Sequence, residues 1–235
     1  MSALMGDGVL ALWLDVAPEL ALETDDWYVD EHLPERIDIG GYLRARRYRA
    51  LEGGPGYLTL FEAADPDALA SAGYLGLVGN ISERSQRIRA GFSNVARNTF
   101  RVQATAGRGL GAVMISLRLR ETGPQQAGNG AIDRHVRQLL RHRDAVGAHW
   151  LRAAPEVRAR MDAVRAVGQR DASTGDVLML EATHPGTLHA LRDGALSDAA
   201  LSRLGWRVEN AGIYGLMYEV SGRISGREVL LGDRL

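Results

Sequence analysis

The sequence predicts an α+β chain made of two successive βαββαβ units, whose four-stranded antiparallel sheets pack on each other as an α+β barrel, an intramolecular pseudo-dimer. Two observations carry that prediction. Apolar runs and helical stretches follow the order β-α-β-β-α-β up to Ala104, and the order begins again after Gly107-Arg108-Gly109. In the second half, DVLMLEATHPGTL from Asp176 echoes YLTLFEAADPDAL from Tyr57, which sets Glu181 on Glu62, Pro185 on Pro66, Leu188 on Leu69 and His184 on the capping Asp65. Helices cover one face of each sheet. The other face needs cover too, and two sheets in one chain can supply it to each other.

Val9 to Val16 is a short apolar run with Trp13 inside it, which suits a buried strand. Pro18 fits the first turn of a helix running to about Leu33, and Pro34 is expected to end it just after His32. Gly40-Gly41 turns the chain into a strand from Tyr42, and Glu52-Gly53-Gly54-Pro55-Gly56 makes the hairpin to a returning strand from Tyr57 to Ala63. Asp65-Pro66-Asp67 caps a helical region that passes Leu69, Tyr74 and Leu77 and resumes from Ser82 to about Ala90. Val95 to Ala104 closes the first unit. In the second unit Ala112 to Leu119 is a strand, Ile132 to about His142 is helical and Ala148 to Ala153 is a short strand. Pro155 to Val167 then reads as an inserted helix and Asp176 to Thr183 as the third strand. Leu188 to Leu204, broken near Gly194, is the last helix, and Trp206 to Val220 the last strand. The units are therefore set at residues 1–106 and 107–222, with 223–235 as a tail. A gapless pairing of the halves also places His32 on His135 and Arg46 on His149.

A formal net charge of -1 leaves no global field for nucleic acid or an anionic membrane, and neither is expected as a partner. All 28 basic residues are arginine, which fits GC-rich coding as readily as a need for guanidinium groups. The absence of cysteine removes disulfides, thiolate nucleophiles and thiolate metal sites, and leaves the redox compartment open. The opening stretch, MSALMGDGVLALWLDV, has no basic segment, and its apolar run is too short to span a bilayer, so a cytoplasmic chain is expected.

Chemistry concentrates between Asp25 and Tyr48, DDWYVDEHLPERIDIGGYLRARRY. On a helix Tyr28 and His32 share one face, flanked by Trp27, Glu31 and Asp25. An imidazole titrates near neutral pH and passes a proton either way, although at a helix C-terminus it can equally serve as a cap. Arg44, Arg46 and Arg47 lie on a strand with side chains on alternating faces, so at least one points inward. An inward arginine needs an anion, which Glu62, Glu181 or the carboxylate of a substrate could supply. Arg36 reads as a solvated residue or a partner of Glu35 or Asp38.

The second half offers His135, His142, His149, His184 and His189. His135 and His142 are seven apart with Asp133 nearby, but there is no HExxH pattern and no thiolate, so no metal is expected. His184 reads as a helix N-cap, and His149-Trp150 takes the repeat position of Arg46-Arg47. The glycine clusters make a hairpin and a strand entry, not the strand-turn-helix setting of a phosphate loop, and no Gly-x-Ser-x-Gly elbow is present.

WYVDEHLPERIDIGGYLRARRY, followed by GYLTLFEAADPDAL and FSNVARNTFRV, resembles the dimeric α+β barrel superfamily with its ferredoxin-like units. Within it, the stretch is similar to bacterial proteins of the EthD group of ether and aromatic catabolism. The match spans most of residues 8–104, and the second half resembles the superfamily in architecture only. Relatives usually carry Pro-Gly where this chain has Gly40-Gly41. The superfamily includes cofactor-free monooxygenases, muconolactone-type isomerases, polyketide cyclases, dehydratases and haem-handling enzymes, so it points to a fold more firmly than to a reaction. The resemblance implies that the helix of His32 lies against a pocket.

The expected function is a cofactor-independent lyase or isomerase acting by proton transfer on a small hydrophobic or aromatic acid. His32 is the expected acid/base, Tyr28 its hydroxyl partner, and Arg46 or Arg47 the anion clamp. Trp13, Trp27, Tyr48, His149 and Trp150 are expected to line the pocket. The alternatives are a cofactor-free or haem-dependent monooxygenase and a non-catalytic binding protein. The expected partner is a small-molecule substrate with no cofactor, in a monomeric pseudo-dimer or a homodimer.

Overall fold

The structure, a computed structural model, describes residues 4–122, 129–164 and 171–222. The first unit runs β1 (Gly8–Val16), α1 (Ala21–Trp27), a π-helical turn (Tyr28–His32), α2 (Leu33–Asp38), β2 (Tyr42–Gly53), β3 (Tyr57–Ala63), α3 (Ala72–Gly79), α4 (Glu83–Ala90) and β4 (Phe92–Gly107). The second runs β5 (Val113–Glu121), α5 (Asn129–Leu139), β6 (Ala145–Ala153), α6 (Pro155–Asp162), β7 (Val177–Ala182), α7 (Pro185–Asp193), α8 (Asp198–Arg203) and β8 (Trp206–Ser221). Strands pair antiparallel in the order β4-β1-β3-β2 in the first unit and β8-β5-β7-β6 in the second. Pairing of β2 with β8 and of β4 with β6 joins the two sheets into a closed barrel within one chain. Closure leaves no open sheet edge to pair with a neighbour. The chain is thus two tandem ferredoxin-like repeats in one α+β barrel.

Strand alternation divides the interior into three cores. Val9, Ala11 and Trp13 of β1 point into the barrel lumen with Tyr48, Phe100, Met114 and Tyr214. Leu10 points the other way, toward the helices of the first repeat, where it meets Trp27, Tyr28, Tyr42, Phe61 and Tyr74. The helix-facing core of the second repeat is filled by leucines and by Trp150 against Trp206, whose rings meet edge to face at 5.1 Å.

The helix expected to stop after His32 continues instead to Asp38. Pro34 has no N–H for the Asp30 carbonyl, so a regular α-helical ladder would break there. The chain widens into a π turn, with the Leu33 N–H bonded to the Tyr28 carbonyl, and α2 restarts with Pro34 in its first turn, where no N–H is needed. Gly40 and Gly41 follow at φ +77° and +81°, a conformation that strains any residue with a Cβ, and they turn the chain into β2. β6 begins at Ala145, before the expected Ala148, and α6 ends at Asp162. The remainder of that expected helix lies partly outside the described residues, as does the tail 223–235. His184 occupies the N-cap position of α7 but makes no side-chain cap bond, whereas Asp65 accepts from the Ala68 N–H at 2.9 Å. Among the described residues no helix is long and apolar enough to cross a membrane.

Candidate functional site

A cavity of 380 Å³ opens between the outer face of the first repeat's sheet and its helices. Leu10 and Leu12 of β1, Phe61 of β3 and Phe92 at the start of β4 make its floor, and Tyr74 and Val78 of α3 wall one side. Its polar lining is His32, Arg36, Arg89, Arg97, Asn94 and Asp171. This volume lies in the lower part of the range for small-molecule sites, about 300–1,000 Å³.

The π turn positions the imidazole. In an α-helix residues five apart point well away from each other, but the wider turn stacks His32 on Trp27 with ring centroids 4.1 Å apart. Tyr28 meets His32 edge-on at 4.7 Å. The Trp27 indole N–H donates to Ser85 Oγ at 3.0 Å, and Ser82 and Ser85 both donate to Glu31, so α4 is fastened to the back of the turn. His32 is buried, and its Nδ1 has no hydrogen-bond partner among the described residues. Burial, then the charges of Arg36, Arg89 and Arg47, hold its pKa well below the ordinary 6.5, so the ring is neutral at physiological pH. A neutral imidazole on a cationic wall can accept a proton from a bound acid, and the arginines favour the anion left behind.

Arg36, expected as a solvated residue or a partner of Glu35 or Asp38, is paired with Glu35 but buried. It is 4% exposed. Its guanidinium lies over Phe61 and Tyr74 at 5.7 and 6.0 Å from the ring centroids and donates to the His32 carbonyl at 2.7 Å. Its nearest carboxylate is Glu35 at 3.7 Å. Arg97, by contrast, is committed to Asp171 at 2.9 Å and to Asp162. Arg36 is therefore the cation in this cavity best placed to hold a ligand anion. Reading Pro34 as a stop hid it, because on a continued helix Arg36 sits four residues after His32, on the same face.

The other expected site residues divide between places apart from this cavity. Arg46 points into the barrel lumen, where Nη1 meets Glu181 at 2.8 Å and the Tyr48 hydroxyl at 2.7 Å, and Nε approaches Glu62 at 2.8 Å as an ion pair. Glu62 also holds Arg44 at 2.7 Å, and Glu181 accepts from the Gly111 N–H at 2.8 Å. His149 Nε2 lies 3.3 Å from Glu181, with Nδ1 2.8 Å from the Thr105 hydroxyl. This network answers the need for an inward anion with Glu62 and Glu181 themselves. Strand register confirms the pairing of Arg46 with His149, since each lies two residues past the partner of its own repeat's glutamate.

Arg47 points to the helix side, its guanidinium 3.5 Å from the Tyr28 ring centroid and 4.4 Å from that of Tyr57, with Asp25 at 3.5 Å. Trp13 and Tyr48 lie in the lumen, and Trp150 in the second repeat's core with its N–H on Asp176 at 3.0 Å. Trp27 and Tyr28 support His32 from behind, and the Tyr28 hydroxyl has no hydrogen-bond partner among the described residues. The structure thus brings His32, Trp27 and Tyr28 together and adds Arg36. Among the described residues no three His, Cys, Asp or Glu side chains come together as a metal site would need.

No protein-family model matches this sequence, and no curated protein matches it. Solved structures do match over nearly the whole chain. An anthrone oxidase-like protein superposes with a TM-score of 0.58 at 15% identity, covering 94% of this chain and 95% of its own. A candidate monooxygenase of Fusobacterium nucleatum gives 0.58 at 7% identity, covering 96% and 100%. A candidate chlorite dismutase gives 0.54 at 11%, covering 90% and 94%. The likeness is one of fold.

Proposed function

We propose that this protein is a cofactor-free monooxygenase of electron-rich aromatic ketones or phenols, with the cavity beside His32 as its active site. The observation that carries the proposal is the pairing, on one wall of that cavity, of a buried neutral imidazole with the guanidinium of Arg36. In this reading His32 removes a proton from a methylene activated by a neighbouring carbonyl, and Arg36 holds the oxyanion that forms. The resulting carbanion gives its electrons to dioxygen. One oxygen atom stays on the carbon as a ketone and the other leaves as water with the two hydrogens of the methylene. One methylene and one dioxygen thus become one ketone and one water without an external reductant. Phe61, Phe92 and Tyr74 offer flat apolar surface to such a ring system. The names of the matched structures, an anthrone oxidase-like protein and a candidate monooxygenase, support this order of preference. The finer likeness to the EthD group belongs to the same proposal, because its motif is the segment that builds the helical side of the cavity.

The lyase or isomerase reading uses the same base and the same clamp but consumes no oxygen. Haem fits the residues poorly. A metal-bound imidazole nearly always donates its second N–H to an acceptor, and His32 Nδ1 faces none among the described residues while its ring is stacked on Trp27.

The test is oxygen uptake with anthrone as substrate, measured for the parent and for His32→Phe. The expected result is one dioxygen consumed per ketone formed, with turnover falling by about 10²–10⁴-fold in the variant and its melting temperature near the parent value. Turnover that continues without oxygen, or a His32→Phe protein as active per folded molecule as the parent, overturns the proposal.

A further inference from the structure

A second, more open cavity of 830 Å³ lies at one end of the barrel and shares Asn94 and Val95 with the first. Asp15, the Gly53 to Gly56 hairpin, Val95, Ala96, Arg118 and Asn210 form its rim. Arg118, which faces Asn210 across β5 and β8, lines the cavity, and Ser116, which faces Gly212, lies one level deeper behind that lining. Met114 and Tyr214, one level deeper, belong to the lumen core, so alternation puts Ser116 and Arg118 on the same inner face. Three polar atoms there have no hydrogen-bond partner among the described residues: Ser116 Oγ, Arg118 Nε and the Tyr214 hydroxyl, all buried. Among the described residues no carboxylate makes a close ion pair with Arg118, on which Glu209 acts at longer range, and its guanidinium rests over the Trp13 ring at 5.5 Å. Gly212 is required by this arrangement. A Cβ on it would fall 2.6 Å from the Tyr214 ring and 2.7 Å from its hydroxyl oxygen, so the tyrosine lies folded along β8 over Gly212.

Buried polar groups of a native protein nearly always find partners, and three orphans on neighbouring positions of one face call for a partner from outside the chain. All three can donate. Asp15 is the carboxylate on the rim, and its oxygens already accept from the Gly56 N–H and the Asn94 amide, both at 2.6 Å. That fixed negative charge opposes a dianion. The apolar surface of Val95 and Ala96 suits an uncharged body.

We infer that the barrel mouth is a second ligand site, which takes a small monocarboxylate with its charge on Arg118, toward Ser116 and Tyr214 just beneath it, and its apolar part against Val95 and Ala96. This site adjoins the proposed active site through Asn94 and Val95 but uses neither His32 nor Arg36, and does not depend on it.

Calorimetric titration with sodium benzoate tests it, run on the Arg36→Met background so that the cavity beside His32 contributes little, with inorganic phosphate and benzyl alcohol as comparison probes. The site predicts that benzoate binds, that both comparison probes bind more weakly, and that adding Arg118→Met weakens benzoate by about tenfold or more, with partial recovery in Arg118→Lys. Tyr214→Phe gives an independent reading. Removing an orphaned hydroxyl should raise the melting temperature of the free protein while reducing the stabilisation that benzoate confers. No benzoate binding, phosphate or benzyl alcohol binding as tightly as benzoate, or an affinity unchanged in Arg118→Met overturns the inference. So does a Tyr214→Phe protein that is less stable yet binds benzoate as before, because its hydroxyl would then have a structural partner.

Discussion

Replacing Glu181 by leucine removes one of the two carboxylates that hold Arg46 in the lumen and leaves the Gly111 N–H without its acceptor. Breaking one side of a buried ion pair costs about 3–5 kcal/mol. Here Glu62 and the Tyr48 hydroxyl remain on the guanidinium, so the lower end of that range applies. A second route gives the same size. Burial alone would raise the Glu181 pKa, but the charge of Arg46 and the bond from His149 outweigh it and hold the pKa at about 2 against an ordinary 4.5. That displacement corresponds to about 3 kcal/mol of stability, present above pH 4.5 and lost as the pH falls toward 2, because the unfolded chain takes up the proton first. For a chain of this size each kcal/mol moves the melting temperature by about 2–4 °C, so a loss of about 3 kcal/mol should make Glu181→Leu melt roughly 6–12 °C below the parent at pH 7. Urea unfolding should show the same loss with an unchanged m-value. The Arg46→Met/Glu181→Leu double variant should lose less than the two single variants summed, because it removes both charges and leaves Glu62 paired with Arg44. A Glu181→Leu loss below about 1 kcal/mol, or a strictly additive double variant, would mean that the network is hydrated in solution in spite of the burial of Arg46, Glu62 and Glu181.

His32 makes the same kind of demand on pH in a higher range. Its unfolded form takes a proton below about pH 6.5 while the buried ring stays neutral, so it subtracts stability progressively below that pH, and His32→Phe should flatten the stability slope between pH 6.5 and 5. His135, also held below its ordinary value by burial, keeps part of the slope in that variant. An identical slope in both proteins refutes the buried neutral imidazole. At Arg47, Tyr57→Leu removes one of two stacked rings and should cost about 1–2 kcal/mol in urea unfolding. Tyr28→Phe keeps its ring face and drops an orphaned hydroxyl, so it should cost nothing; equal losses in the two variants would refute the cation–π account.

The fold was legible because its signals are local and repeated. Glu62 and Glu181 sit at equivalent places in two strand-to-helix segments, and the structure sets them at equivalent register, Glu62 opposite Val9 and Glu181 opposite Met114. Strand alternation likewise required at least one of Arg44, Arg46 and Arg47 to point inward, and Arg46 does so while Arg47 faces the helices. The direction of a side chain is a local property, but the cavity it reaches is not. Trp13, Tyr48 and His149 were grouped with His32 as aromatic or polar residues of nearby segments, yet a sheet one residue thick separates the lumen from the helix-facing side. Arg36 was lost to one wrong inference about Pro34, since a π turn satisfies the same missing N–H that a helix end would. Arg97 had a readable signal, an arginine on the helix-facing side of β4, but its partners Asp162 and Asp171 come from the other repeat and no local pattern announces them.

Fusing two repeats in one chain frees them from symmetry, and the lumen shows what that permits. In a two-fold symmetric barrel each repeat would present the same residue at the position of Arg46, so two arginines and two glutamates would have to share the centre in mirrored pairs. Here the second copy of that position is His149, and a single Arg46 reaches both Glu62 and Glu181. With Arg44 on Glu62, two guanidinium charges balance two carboxylates without requiring a charge on His149. The same freedom acts outside the barrel. The second repeat spends its helix-facing space on Trp150, Trp206 and leucines, which packs a core, while the first keeps space beside His32 and Arg36. One repeat can then keep a polar cavity beside its sheet, because the other, joined through β2–β8 and β4–β6, closes the barrel with it.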